Sequence, residues 1–176
     1  LEKTLGREKA HAMWEIGQEA KATLRGLIER YNIACDYTPG VLHAAFSKGD
    51  LAEAHAEAEH LSRDYHYDEI APLDADGIYK HLGTEAYVGG NIDMGAGHVH
   101  PLNYALGLGR AALGLGVRIH EQSRVTQIDR GEPALVHTDA GRVRASYVLV
   151  AGNGYLGGLV PEVSRRVMPI NNFIVA

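Results

Sequence analysis

The pattern with the most chemical content is an apolar run that ends in glycines, YVLVAGNGYLGG at residues 147–158. Residues 147–151 are apolar without alternation, which predicts a strand buried on both faces. Gly152, Asn153 and Gly154 then remove bulk where such a strand would leave its sheet, the place where open α/β sheets take their ligands. Gly152, Gly154 and Gly157 also spell G-x-G-x-x-G. A loop that cradles a pyrophosphate, however, opens a full helix and is followed about 20 positions later by an acidic residue. Here Pro161 interrupts any helix after one turn, and residues 171–176 contain no Asp or Glu. The turn is therefore read as one that packs beside a cofactor, and not as the phosphate loop itself.

A second suggestive stretch is GAGHVHP at residues 95–101. If it is extended, His98 and His100 point to one face, with Asp93 close enough to join them. Two histidines without a third well-spaced ligand do not make a metal site, so a substrate-lining role is preferred and no metal is expected. Cys35 has no cationic cluster nearby in sequence and is read as a buried, inert thiol. The serines lack a nucleophile-elbow pattern, which leaves hydrolase chemistry without support. Gly107-Leu108-Gly109-Arg110-Ala111-Ala112 imitates a nucleotide loop, but no strand precedes it. His11, His55, His60 and His66 fall among solvated helical positions and are read as surface residues.

These groups must be held by an α+β (mixed α/β) framework. Apolar residues at helical spacing predict one long amphipathic helix over 2–31, whose Gly6, Gly17 and Gly26 are read as points of close backbone packing. Two short strands, 33–37 and 41–46, are expected to form a hairpin. Asp50 is the expected cap of a surface helix over 51–65, and Asp74 that of a short helix closed by Gly83. A strand over 87–94, thinned by Gly89 and Gly90, leads to a helix beginning at Pro101 and running to about residue 115. Beyond Gly116 the pattern turns to β, with strands at 117–120, 124–129, 135–138 and 143–144, and a hairpin at 139–141.

The chain has 176 residues, 45% of them hydrophobic, enough for a genuine core in one domain or two small ones. Its net charge of −5, without a basic stripe, argues against nucleic acid and anionic membrane as partners. No apolar run approaches the roughly 20 residues of a membrane helix. A single cysteine fits a reducing compartment, so the cytoplasm is expected. The first residue is Leu, followed at once by helical sequence, and the chain is expected to start inside a longer protein or after a removed segment.

Taken together, GNIDMGAGHVHPLNYA at 90–105, GVRIH at 116–120, Arg124-Val125 and VLVAGNGYL at 148–156 resemble the FAD-dependent oxidoreductases of the D-amino-acid oxidase superfamily. GHVHPLNYALGLGRAA, AGNGYLGGL and RRVMPINNFIVA resemble its γ-glutamylputrescine oxidase branch in particular. The resemblance implies oxidation of an amine or amino-acid C–N bond to an imine, with hydride passing to FAD, on a γ-glutamylputrescine-like or D-amino-acid-like substrate. It implies that Val125, Ala151, Gly152 and Gly154 lie against the adenosine and pyrophosphate side of FAD, and that His98, His100 and Asn171 approach the substrate. It also implies a division into 1–97, mostly a helical and antiparallel substrate-domain portion, 98–158, part of the FAD-binding domain, and 159–176, a strand returning towards the substrate domain. The family's N-terminal Rossmann unit has no counterpart in this sequence. An interior fragment is therefore expected, catalytically inactive alone, without tight FAD binding and with sheet edges that favour a homo-oligomer. The alternative is a noncatalytic binding or assembly module that keeps the scaffold without the cofactor core.

Overall fold

The computed structural model describes residues 1–170, so the expected approach of Asn171 and the end of the strand expected over 159–176 lie outside the described residues, while the described part, 159–170, holds a short helix at Pro161–Ser164 and no strand. The stretch expected as one helix is two, α1 (Glu2–Leu5) and α2 (Arg7–Arg30). Gly6 separates them at φ 81°, a conformation that glycine adopts without strain. Asn32, at φ 46°, turns the chain after α2 as expected. Gly17 and Gly26 face open space, since a Cβ on either would meet nothing within 4 Å, so they are not points of close packing.

The hairpin expected over 33–46 does not form. Ile33 and Cys35 are instead buried in irregular chain, and one strand, β1 (Thr38–Ala45), follows them. Its partner is distant in sequence. With β2 (Ile70–Asp74) and β3 (Gly89–His98) it makes an antiparallel sheet in the order β1-β3-β2. Gly90 explains the pairing, because a Cβ there would lie 1.9 Å from the carbonyl oxygen of His43 in β1. β2, which sequence patterning does not reveal, is an edge strand, and its Pro72 is tolerated there for that reason.

Helices cover this sheet. α3 (Lys48–Tyr65) is capped by Ser47, not by Asp50: the Ser47 hydroxyl accepts from the Asp50 N–H while the Asp50 carboxylate accepts from the Ser47 N–H. α3 buries Ala54 and Ala58, small enough to bring its backbone close, and the buried Asn91 of β3 donates to the Ala54 carbonyl at 3.1 Å. α4 (Ala75–Leu82) starts at Asp74, ends at a left-handed Gly83, and buries Ile78 completely. α5 (Pro101–Gly114) begins with proline as expected. It is docked on the 33–35 segment: the His100 N–H donates to the Cys35 carbonyl at 2.7 Å, and a Cβ on Gly107 would lie 2.2 Å from Ile33 Cγ2. That docking accounts for the first compact unit, Leu1–Arg118, which thus includes α5.

The second unit, from Ile119 on, contains β4 (Val125–Asp129), β5 (Ala134–Thr138) and β6 (Arg142–Ala145), antiparallel in that order. The expected hairpin at 139–141 is present, closed by the Thr138 N–H on the Gly141 carbonyl at 2.8 Å. Two expected strands are not. Residues 117–120 and 147–151 have strand-like composition but are irregular, with Tyr147 and Leu149 more than nine-tenths exposed. Among the described residues no strand pairs with either, and without a ladder partner β propensity alone does not make a strand.

Candidate functional site

Within the second unit, β4 and residues 148–159 enclose a cleft of about 860 Å³. β4 enters it with an irregularity. Val125 pairs with Thr138 and Gln127 with His137, so Thr126 is an extra residue against β5, a β-bulge. Bulges twist a strand and re-aim what it presents, and here the bulged residues line the cleft. The facing wall is Val148 to Gly152, continued by Tyr155 to Leu159.

Three of the four residues expected at a cofactor, Val125, Ala151 and Gly152, line this one cleft. Val125 and Gly152 are half-buried and Ala151 is exposed. Gly154 is not part of the lining; it lies in a three-residue 3-10 turn, Asn153–Tyr155, where a Cβ would meet Pro169 at 3.5 Å. The turn is tight because Gly152 approaches Leu156, whose Cα would be 3.3 Å from an added Cβ. Gln127 donates to Asp129 Oδ1, and His137 Nε2 lies 2.8 Å from Asp129 Oδ2. These contacts, the Gln127 hydrogen bond first, hold the Asp129 carboxyl below the usual carboxylate range.

His98 and His100 belong to the first unit and do not line the cleft. His98 ends β3 opposite Thr38, exposed. His100 caps α5 through Nδ1, which accepts from the Asn103 N–H at 3.4 Å. Among the described residues no three His, Cys, Asp or Glu side chains converge as metal ligands. Sequence reading missed Arg124, Thr126, Gln127 and Tyr155 as cleft residues. Their neighbours in sequence were singled out, but a bulge in β4 has no signature in one strand alone.

The lining suits one end of a dinucleotide. Val125, Val148 and Val150 give apolar walls for a planar base, and Ala151 and Gly152 leave backbone within reach of polar edges. It does not suit a pyrophosphate: among the described residues, the turn that follows the glycines is three residues long and opens no full helix. The described lining thus offers apolar walls and exposed backbone, without a helix N-terminus to receive an anion.

The family described as DAO, FAD dependent oxidoreductase, matches residues 3–176. The chain is 39% identical over 176 residues to γ-glutamylputrescine oxidoreductase of Escherichia coli, covering 99% of this chain and 41% of that protein. It is 34% identical to the probable oxidoreductase OrdL of Haemophilus influenzae, covering 99% of this chain and 42% of that protein. The chain thus spans about two-fifths of the length of these relatives. Its fold is similar to glycine oxidase from Bacillus cereus, with a TM-score of 0.72 at 20% identity over 87% of this chain and 44% of the other. Glycine oxidase from Geobacillus kaustophilus gives 0.69 at 19% identity over 88% and 41%.

Proposed function

The chain belongs to the DAO family of FAD-dependent oxidoreductases, and on that premise we propose that it forms part of a flavoenzyme that oxidises the C–N bond of an amine or amino acid to an imine. The observation that carries the reading is the convergence of Val125, at the bulged start of β4, with Ala151 and Gly152 on one cleft. FAD, when bound, supplies the hydride acceptor. The residues of this chain supply binding: Val125, Ala151 and Gly152 take the adenosine end, with Gly154 shaping the turn behind them. His98, His100 and Asn171 are proposed to approach the substrate. The identity to γ-glutamylputrescine oxidoreductase favours a γ-glutamyl-amine over a D-amino acid as that substrate.

The rest of the reading follows from surface and composition. No helix among the described residues is long and apolar enough to cross a membrane. A cytoplasmic enzyme on a small-molecule substrate, without nucleic acid as a partner, accords with the net charge of −5 and single cysteine. The exposed apolar residues of 147–150 support self-association.

The test is the absorbance spectrum of the intact protein, followed by anaerobic addition of γ-glutamylputrescine or a D-amino acid. Flavin bands that bleach with the γ-glutamyl-amine are the expected result. A protein that stays colourless after reconstitution with FAD would overturn the reading in favour of a noncatalytic binding module.

A further inference from the structure

β1 and β3 fall out of step near one end of their ladder. Val41 pairs with Asp93 and Pro39 with Gly97, so Gly40 of β1 stands opposite Met94, Gly95 and Ala96 of β3. Two extra residues are held in this bulge, and beyond it pairing resumes at Gly97 with Pro39 and His98 with Thr38. A bulge bends and twists the strand that carries it. Because the number of extra residues is even, the strand keeps its alternation of faces across it, and His98 lies on the sheet face opposite to Asp93 and Val41. Val41 and Asp93 share a recess with residues of α2 and α3, so His98 is presented away from those helices.

The bulge is closed by side chains. Asp93 Oδ1 accepts from the N–H groups of Gly95 at 2.9 Å and Ala96 at 3.1 Å, two donors that have no strand partner among the described residues. The Tyr67 hydroxyl donates to the same oxygen at 2.5 Å and is held in turn by Lys21 of α2 at 3.0 Å. Its phenol lies against the buried Gly95, where an added Cβ would be 2.2 Å from the hydroxyl oxygen. Hydrogen bonds to a carboxylate are stronger than those between neutral groups, and three of them on one oxygen leave the bulge a single conformation.

We propose that Asp93 is a positioning residue, which fixes the bulge through Gly95 and Ala96 and thereby aims His98 at the substrate. This rests on the reading of His98 given under Proposed function. Without the carboxylate, Gly95 and Ala96 lose their common acceptor and the extra residues can redistribute along β3. His98, two residues past the bulge, then moves with the backbone. Asp93 is on the other face of the sheet, so its effect on a substrate passes through that backbone and not through contact. A misplacement of about 1 Å at a group that holds substrate can cost about a hundredfold in rate.

The experiment is anaerobic reduction of the flavin of the intact protein by γ-glutamylputrescine, with kcat and KM measured separately in turnover. In Asp93→Ala, kcat/KM is expected to fall at least about tenfold while the flavin content stays that of wild type. Asp93→Asn, whose amide oxygen can accept from both N–H groups, restores most of the loss. A double-mutant cycle decides the matter: in a His98→Ala background, Asp93→Ala should cost less than about twofold, because the residue it aims is gone. An equal loss in both backgrounds overturns the proposal and makes Asp93 a merely structural residue. So does an Asp93→Ala protein with wild-type kcat/KM. Should Asp93→Ala fail to fold, Tyr67→Phe, which leaves Asp93 its two backbone donors, reads the same cycle with a smaller loss that must also vanish in His98→Ala. A protein without substrate-reducible flavin, or a His98→Ala protein that matches wild type, overturns the reading of the site and this proposal with it, an outcome distinct from failure of the cycle alone.

Discussion

The Tyr67 hydroxyl donates to Asp93 Oδ1 at 2.5 Å, tying the chain after α3 to the central strand β3. The same carboxylate oxygen accepts from the N–H groups of Gly95 at 2.9 Å and Ala96 at 3.1 Å. Lys21 of α2 donates to the Tyr67 oxygen at 3.0 Å, and its ammonium lies 4.6 Å from the ring centroid. One buried phenol therefore joins α2, the α3–β2 connection and β3. Tyr67→Phe removes the hydroxyl but leaves Asp93 its two backbone donors. A loss of about 1–2 kcal/mol in urea unfolding of the intact protein is expected; an unchanged midpoint would show the contact to be neutral.

Burial, and then the Asp93 carboxylate, push the Tyr67 phenol well above the ordinary tyrosine range. Its contribution to stability is fully present below the unfolded value of about 10 and is lost as pH rises towards the folded one. In an ultraviolet titration of the described chain, one of its nine tyrosines should ionise after the others and together with alkaline unfolding. Tyr67→Phe should remove that late step and no other.

Two glycines should respond to alanine with opposite sign. At Gly90 the added methyl would lie 1.9 Å from a backbone oxygen of β1, so the strands must part; a loss near the upper end of overpacking, about 3 kcal/mol, is expected. At Gly17 the methyl meets nothing, and α2 should gain up to about 1 kcal/mol. Thermal unfolding of both variants checks the pair, and equal effects would contradict the contrast in packing.

On the proposed reading the cleft in the second unit takes only the adenosine end of FAD, so the 176-residue chain by itself should bind FAD more weakly than micromolar in a fluorescence titration. Binding at micromolar affinity or tighter would show that the chain holds the phosphates by groups other than those described.

In the intact protein, Ala151→Trp should fill the cleft wall and lower flavin affinity at least about tenfold, equivalent to about 1.4 kcal/mol. The check is flavin retained after gel filtration, with circular dichroism to show that the fold persists. Undiminished flavin would move the adenosine site away from Ala151.

Local features were legible in the sequence because their causes are local. Pro101 begins α5, Asp74 caps α4, and Gly83 and Asn32 close helices in left-handed conformations, each set by backbone chemistry within one turn. The misses share a physical reason. The sequence presents residues 33–46 as a hairpin because two short apolar runs flank Pro39 and Gly40, yet the partner of β1 is β3, about fifty residues later, admitted by the absent side chain of Gly90. Asp50 looked like a cap because it carries a carboxylate, but Ser47 three residues earlier completes the reciprocal pair.

By itself the sequence determined the ends of several helices and the hairpin at 139–141, the likeness to FAD-dependent oxidoreductases, and the residues whose small size could admit a cofactor, since these depend on residue type and near spacing. Only the tertiary structure decided that Val125 meets Ala151 and Gly152 across one cleft while Gly154 turns away, because a β-bulge and a 3-10 turn set that meeting. It also left 147–151, the most strand-like run in the sequence, without a ladder among the described residues: a strand is a property of a pair, and one sequence segment carries only half of it.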